Sequence, residues 1–226
     1  MFEIVLNMSI AQRKIKAGYA NLTAKVPSKK LNKMVDAESS LERDFVLILE
    51  SDPNVAKFLE QPVKIELEDK RTYTPDFMAV YSNDKTVIYE VKYRSELKKN
   101  FKKLKPKFRA AIKYCKQKGY LFKIITDKEI RTQKLRNLEF LSRFSLTVSH
   151  SEEAFRDALL RSFVDLGNAT PKELLAATFS SKIKQAEAMP VLWRLIYSGV
   201  ISIDLNLPLS MNSALMLDSE LRDKIC

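Results

Sequence analysis

Apolar and polar positions alternate along residues 73–81 and 86–93, with Ser82-Asn83-Asp84-Lys85 between them. Period-two patterning broken by a short polar run predicts the two arms of a β-hairpin. Upstream, Val63-Lys64-Ile65-Glu66-Leu67 alternates cleanly and predicts another strand. Residues 36–50 carry Leu41, Phe45, Ile48 and Leu49 at helical spacing; Asp36, Ser39 or Ser40 offers an N-cap, and Ser51-Asp52-Pro53 stops the helix. Residues 107–118 place Phe108, Ala111, Ile112 and Cys115 on one side of a helix that ends at Gly119. Residues 120–126 are an apolar run suited to a buried strand, and 131–144 predict a further helix. The order helix, three strands, helix, strand, helix belongs to the mixed α/β class, with the strand after the crossover helix paired beside the hairpin.

The flanks differ from this centre. Residues 1–35 look like a basic arm, extended or a short helix followed by loop, and residues 36–148 form the main domain. The C-terminal domain, 149–226, starts with a linker or short helix around 149–164. Thr170 then offers an N-cap with Pro171 at the first helical position. A second helix, 186–197, contains Trp193 and ends at Gly199, and a strand follows at 200–205. Short helices followed by a small β element are winged-helix-like.

The candidate chemistry sits on the hairpin, in Thr74-Pro75-Asp76 and Glu90-Val91-Lys92. Side chains alternate faces along a strand, so Glu90 and Lys92 point the same way. With Asp76 across the hairpin, two carboxylates and an ammonium converge, in the pattern Pro-Asp … (Asp/Glu)-x-Lys of metal-dependent nucleases. Phosphodiester hydrolysis calls for a hard cation held by oxygen ligands. Asp76 and Glu90 supply those oxygens, with the Val91 carbonyl between Glu90 and Lys92. Lys92 suits orienting or deprotonating the attacking water and stabilising the transition state. The plainer alternative is a half-buried hairpin whose charges face solvent. Glu42, in the first turns of the helix, reads equally as an acid complementing the helix dipole or as a further metal ligand or water-positioning group.

Charge adds a partner. Residues 1–150 hold 31 basic and 18 acidic side chains, a balance of +13, whereas residues 151–226 hold 8 and 10, a balance of −2. Seven basic residues and no acid lie between Ala11 and Val35, Lys29 and Lys30 among them. Ten more, again without an acid, lie between Leu97 and Gly119, including Lys98, Lys99, Lys102, Lys103, Lys105, Lys107 and Arg109. Such blocks fit a polyanion, and the phosphate backbone of double-stranded DNA is the commonest one. The near-neutral C-terminal domain suits protein docking or clamping of a DNA end better than sequence readout.

Several classes drop out. No run reaches the roughly 18 apolar residues of a membrane span. The opening Met1-Phe2-Glu3-Ile4-Val5-Leu6 is too short and too early acidic for a signal peptide, and Met8 offers an alternative start. A cytoplasmic enzyme is expected. Cys115 and Cys226 build neither a disulfide framework nor a zinc site, and His150 is the single histidine, which excludes nucleases that depend on a histidine base or pair.

Taken together, Pro27-Ser28-Lys29-Lys30, Glu38-Ser39-Ser40-Leu41-Glu42-Arg43-Asp44-Phe45, Glu60-Gln61-Pro62, Thr74-Pro75-Asp76-Phe77 and Glu90-Val91-Lys92 resemble TnsA, the endonuclease subunit of heteromeric Tns transposases. The resemblance covers most of residues 9–145, and the tail fits the family's C-terminal domain. It implies a restriction-endonuclease-like PD-(D/E)XK core with a mixed sheet. Glu42, Asp76, Glu90 and Lys92 take the catalytic positions, with Mg2+ as the metal and Mn2+ able to substitute. Some members carry an amide at the Glu90 position. The implied job is cutting the 5′ strands at transposon ends while a DDE-type subunit, TnsB, cuts and joins the 3′ ends. An AAA+ ATPase, TnsC, is expected to contact the C-terminal domain, and in some relatives a guide-RNA complex supplies targeting. The rival expectations are a freestanding restriction or repair endonuclease and a non-catalytic DNA-binding scaffold.

Overall fold

The computed structural model describes residues 24–145 and 150–216. Most of the expected basic arm, the stretch around 146–149 and Cys226 lie outside them. By their contacts the residues divide into two units, cut between Arg131 and Thr132.

In the first unit the expected hairpin forms between residues 77 and 92, while Tyr73, expected at the start of its first arm, pairs elsewhere. Strands β1 (Ala24–Ser28) and β2 (Lys33–Ala37) come first, then helix α1 (Ser40–Ser51) and strand β3 (Val55–Glu60). The small pair β4 (Ile65–Glu66) and β5 (Thr72–Tyr73) precedes β6 (Phe77–Tyr81) and β7 (Thr86–Lys92). Helix α2 (Arg94–Lys118) leads to β8 (Leu121–Thr126) and the single turn α3 (Asp127–Ile130). A four-stranded sheet has the order β3-β6-β7-β8. Its first three strands are antiparallel, and β8 runs parallel to β7 after the α2 crossover, as expected.

Both faces of this sheet are covered. On one side α1 buries Leu41, Phe45, Val46 and Leu49. The Phe45 ring meets Phe77 edge-on at 5.6 Å and Tyr89 at 5.0 Å, joining the helix to both arms of the hairpin. On the other side Cys115 of α2 packs with Leu59, Met78 and Ile88. The β4–β5 pair adds Ile65 and Tyr73 against Ala111.

Four elements differ from the sequence expectation, each for a physical reason. Residues 24–37 are a hairpin rather than an arm, with Val35 and Ala37 fully buried. Its turn is fixed by Glu50, whose carboxylate accepts the Ser28 hydroxyl at 2.7 Å and the Lys29 N–H at 2.9 Å. The first strand of the sheet is β3, and the expected strand at 63–67 shrinks to the two residues of β4, paired with β5. Helix α2 starts thirteen residues before Lys107 and runs through Pro106. Leu104, Phe108, Ala111 and Cys115 form one buried stripe across the proline, and that packing outweighs the hydrogen bond proline cannot donate. Strand β8 is an edge strand, with Leu121 50% and Ile124 38% exposed, not a buried one. At Gly119 the helix ends as expected, in a left-handed conformation at φ 70°.

The second unit contains α4 (Gln133–Ser142), α5 (His150–Leu166), α6 (Pro171–Thr178) and α7 (Lys182–Tyr197), then the short antiparallel pair β9 (Ser202–Ile203) and β10 (Leu215–Met216). Its core gathers Leu141, Leu159, Phe163, Leu174, Leu192 and Trp193. Helix α4 therefore packs with this unit, and buried Asn137 ties it to the carbonyls of Leu205 and Leu207 at 2.8 and 2.7 Å. A capping box at Thr170 and Glu173 starts α6, with Pro171 in its first turn. Trp193 is spent in the core, edge-on to Phe140 at 5.4 Å.

Candidate active site

The register of β6 against β7 pairs Phe77 with Tyr89, so the next position outward sets Asp76 against Glu90. Asp76 Oδ2 accepts the Val91 N–H at 2.7 Å and the Lys92 ammonium at 3.2 Å. Lys92 Nζ also reaches Glu90 Oε1 at 3.2 Å and the Val91 carbonyl at 2.9 Å. The expected convergence of Asp76, Glu90, Val91 and Lys92 is therefore present. Side-chain exposure is 18% for Asp76, 19% for Lys92 and 3% for Glu90, so the first two open outward and Glu90 forms the floor.

Glu42 stands at the start of α1, behind the N-cap Ser39. Its carboxylate accepts the Glu38 N–H at 2.9 Å and the Ser39 hydroxyl at 3.0 Å. Burial and then the Asp76 carboxylate raise its pKa to about 7, against the lowering by the Glu38 and Ser39 hydrogen bonds and by Lys92. Burial and then Asp76 likewise push Glu90 up to about 7, against the opposing pull of Lys92 and Tyr73. Asp76 is raised by burial, with Lys92 and the Val91 N–H opposing. Burial would pull Lys92 down, but Asp76 and Glu90 outweigh it and hold the ammonium above its ordinary range. Burial accounts for most of the upward shifts, and three buried carboxylates against one ammonium leave a shortage of positive charge.

That shortage and the donor set, two carboxylates and a carbonyl, suit a hard divalent cation. In this arrangement the lysine occupies the space between Asp76 and Glu90. Among the described residues no three His, Cys, Asp or Glu side chains come close enough together to hold an ion. Glu42 bears on Asp76 electrostatically without joining it in one cage.

The sequence assigns no site role to two neighbours. The Tyr73 hydroxyl donates to Glu90 Oε2, fixing the floor carboxylate. Gln61 donates its N–H to the Asp76 carbonyl at 2.8 Å and its side-chain amide to Glu38 at 3.0 Å. Tyr73 was visible as part of the alternating run before Pro75, but its fold-back onto β4 was not.

The basic candidates divide. Lys98, Lys102, Lys105 and Arg109, with Lys113 and Lys116 beyond them, recur at three- and four-residue steps along the exposed side of α2. Lys99 and Lys103 flank that stripe and Lys29 is also exposed, whereas half-buried Lys107 sets its ammonium 5.7 Å from the centre of the Tyr73 ring. Lys30 turns inward, donating to the carbonyls of Leu49, at 3.0 Å, and Val55, at 2.6 Å, and also to that of Asp52. It serves the open C-terminal end of α1, where cations are favoured.

Two family models match the chain. The TnsA-like endonuclease N terminal matches residues 52–127, and the TnsA endonuclease C terminal matches residues 129–205. The class is thus an endonuclease, on a mixed α/β frame. More narrowly, the chain belongs to the TnsA family of transposase endonuclease subunits. The N-terminal match spans Asp76, Glu90 and Lys92 and begins after Glu42. No curated protein matches the chain. No helix among the described residues is long and apolar enough to cross a membrane.

Two outcomes are expected. Glu42 and Glu90 bind protons more tightly folded than unfolded, because burial raises both from 4.5 to about 7. The metal-free protein then gains stability as pH falls through that window, from about 7 toward about 5. Thermal unfolding across this range should show a higher midpoint at the acidic end, and Glu42→Gln should flatten the slope; a slope of opposite sign defeats the assignment. Separately, Lys30→Met should lower the unfolding midpoint and leave DNA affinity unchanged. Lys102→Met should do the reverse and reduce the slope of log affinity against log salt by about one.

Proposed function

We propose that the chain is the Mg2+-dependent subunit that cleaves the 5′, non-transferred strands at transposon ends, beside a TnsB-like DDE transposase that processes the 3′ strands. The observation carrying this reading is the shared Lys92 contact with Asp76 and Glu90 at one end of a mixed sheet, in a chain of the TnsA family. The order α1, β3, β6, β7, α2, β8 supports a restriction-endonuclease-like core, and the helices ahead of β9 and β10 support a winged-helix-like C-terminal domain. Family membership favours the transposase subunit over a freestanding restriction or repair enzyme and over a non-catalytic scaffold.

Asp76, Glu90 and the Val91 carbonyl would hold the cation, Mg2+ or in its place Mn2+, which supplies Lewis acidity toward the phosphate. Lys92 stays protonated, so its part is to donate to the attacking water and to the developing charge rather than to accept a proton. Glu42, with a pKa raised to about 7, is suited to take a proton from that water at neutral pH. Tyr73 keeps Glu90 in place. The stripe from Lys98 to Lys116 on α2 extends about 27 Å, close to the roughly 34 Å of one duplex turn, and would track phosphates. Phosphate contacts position a duplex without reading it. Sequence choice then falls to the partner, in the cytoplasm, with a TnsC-like ATPase docking on the C-terminal domain.

Asp76→Ala should reduce Mg2+-dependent cleavage in the assembled transposase on the order of a hundred-fold or more. Strand mapping should show the loss at the 5′ strands alone, with 3′ processing retained. The isolated chain should cut naked DNA poorly. Cleavage that survives the substitution, or robust site-specific cutting by the isolated chain, refutes the reading.

A further inference from the structure

Gln61 lies between β3 and Pro62, and its backbone has φ 45°. Asn32, Lys70 and Asp84 also have positive φ, but each closes a tight hairpin turn. Gln61 closes no such turn, and a residue before proline ordinarily favours extended backbone. Strain of this kind persists where the surroundings over-determine it, and such places cluster at functional sites.

Its contacts show what the strain holds. The backbone N–H donates to the Asp76 carbonyl at 2.8 Å. The side-chain Nε2 donates to Glu38 Oε1 at 3.0 Å, and the Glu38 N–H in turn donates to Glu42 Oε2 at 2.9 Å. A continuous path therefore runs from Asp76, ahead of β6, through Gln61 and Glu38 to Glu42 on α1. The residue is 9% exposed, and its Oε1 is buried with no hydrogen-bond partner among the described residues. An amide serving only the packing would be met at both ends, since an unmet buried acceptor is costly. Here the orientation follows Glu38 and leaves Oε1 unpaired.

We propose that Gln61 is a positioning residue of the cleavage site: its side-chain amide holds Glu38, and through it Glu42, at a set distance from Asp76. The inference rests on the reading of Asp76 and Glu42 as parts of a metal-dependent nuclease site.

Glycine separates the two possible roles of the position. It adopts positive φ more readily than glutamine, so a purely conformational role is served at least as well by Gln61→Gly. Gln61→Asn also tolerates this backbone but is one methylene short of Glu38. Both variants should keep the unfolding midpoint of the full chain. Mn2+ affinity of the full chain, read by paramagnetic resonance of the free ion, should fall about ten- to a hundred-fold. The single-turnover cleavage rate in the assembled transposase should fall by a similar factor, while the DNA concentration for half-saturation stays put. Unchanged Mn2+ affinity and rate in either variant overturns the inference, and so does a lowered midpoint, which would assign the side chain to the fold. Asp76→Ala in the same assay keeps the tests apart. If it cleaves normally, the nuclease reading falls; if it is inactive while Gln61→Gly is normal, the inference about Gln61 falls alone.

Discussion

The pairing of Phe77 with Tyr89 is the constraint on which the rest depends. A slip of one residue would send Glu90 and Lys92 to the opposite face of the sheet and part them from Asp76. Three aromatic rings prevent the slip. Phe45 packs edge-on against both paired residues, and Phe45 lies one turn after Glu42 on α1. The same contacts that lock the hairpin register therefore also set the helix that carries the third carboxylate. Core packing and site geometry are one arrangement.

That arrangement is electrostatically unfinished. Asp76, Glu42 and Glu90 face one ammonium, and all three carboxylates are pushed up by burial. A site optimised for the stability of the bare protein would carry fewer buried acids or more cations. Lys92 satisfies two of the three and the Val91 carbonyl besides, so its donors are already committed. The remaining negative charge is the feature a cation and a phosphate-bound intermediate would exploit, a trade of stability for function.

The chemistry was legible in the sequence because it is local. Asp76, Glu90 and Lys92 lie on one hairpin with a recognisable turn, and strand alternation alone brings Glu90 and Lys92 to one face. Capping is equally local: Thr170 caps α6 as expected, and Ser39, one of three candidates, caps α1. What escaped is set by distant partners. The β1–β2 hairpin depends on Glu50, twenty-odd residues on, and α2 passes through Pro106 because a buried stripe spans it. Tyr73 looked like the start of a hairpin arm but pairs with β4, and no periodicity reveals that its hydroxyl meets Glu90. Gln61 stands in the Glu60-Gln61-Pro62 run of the resemblance, but nothing in that run reveals its positive φ or its bond to Glu38. Lys30 belongs to the same lesson: composition counts a charge, and only structure tells whether it faces solvent or a helix end.

The proposed dependence on a partner follows from where the charges sit. Helix α2 begins two residues after Lys92, so its row of cations follows directly on β7. Any duplex held by that row is brought to the site whatever its bases, because phosphates carry no sequence. The second unit does not correct this. Its charges balance, with 11 basic and 11 acidic side chains over residues 132–226, and Trp193, an aromatic that could have met a base, is 5% exposed within the core. A base-blind grip joined this closely to the proposed hydrolytic residues would cut without discrimination if the site were fully assembled at rest. On the proposed reading, Lys92, already shared between Asp76 and Glu90, fits a centre completed only when DNA and metal are delivered together.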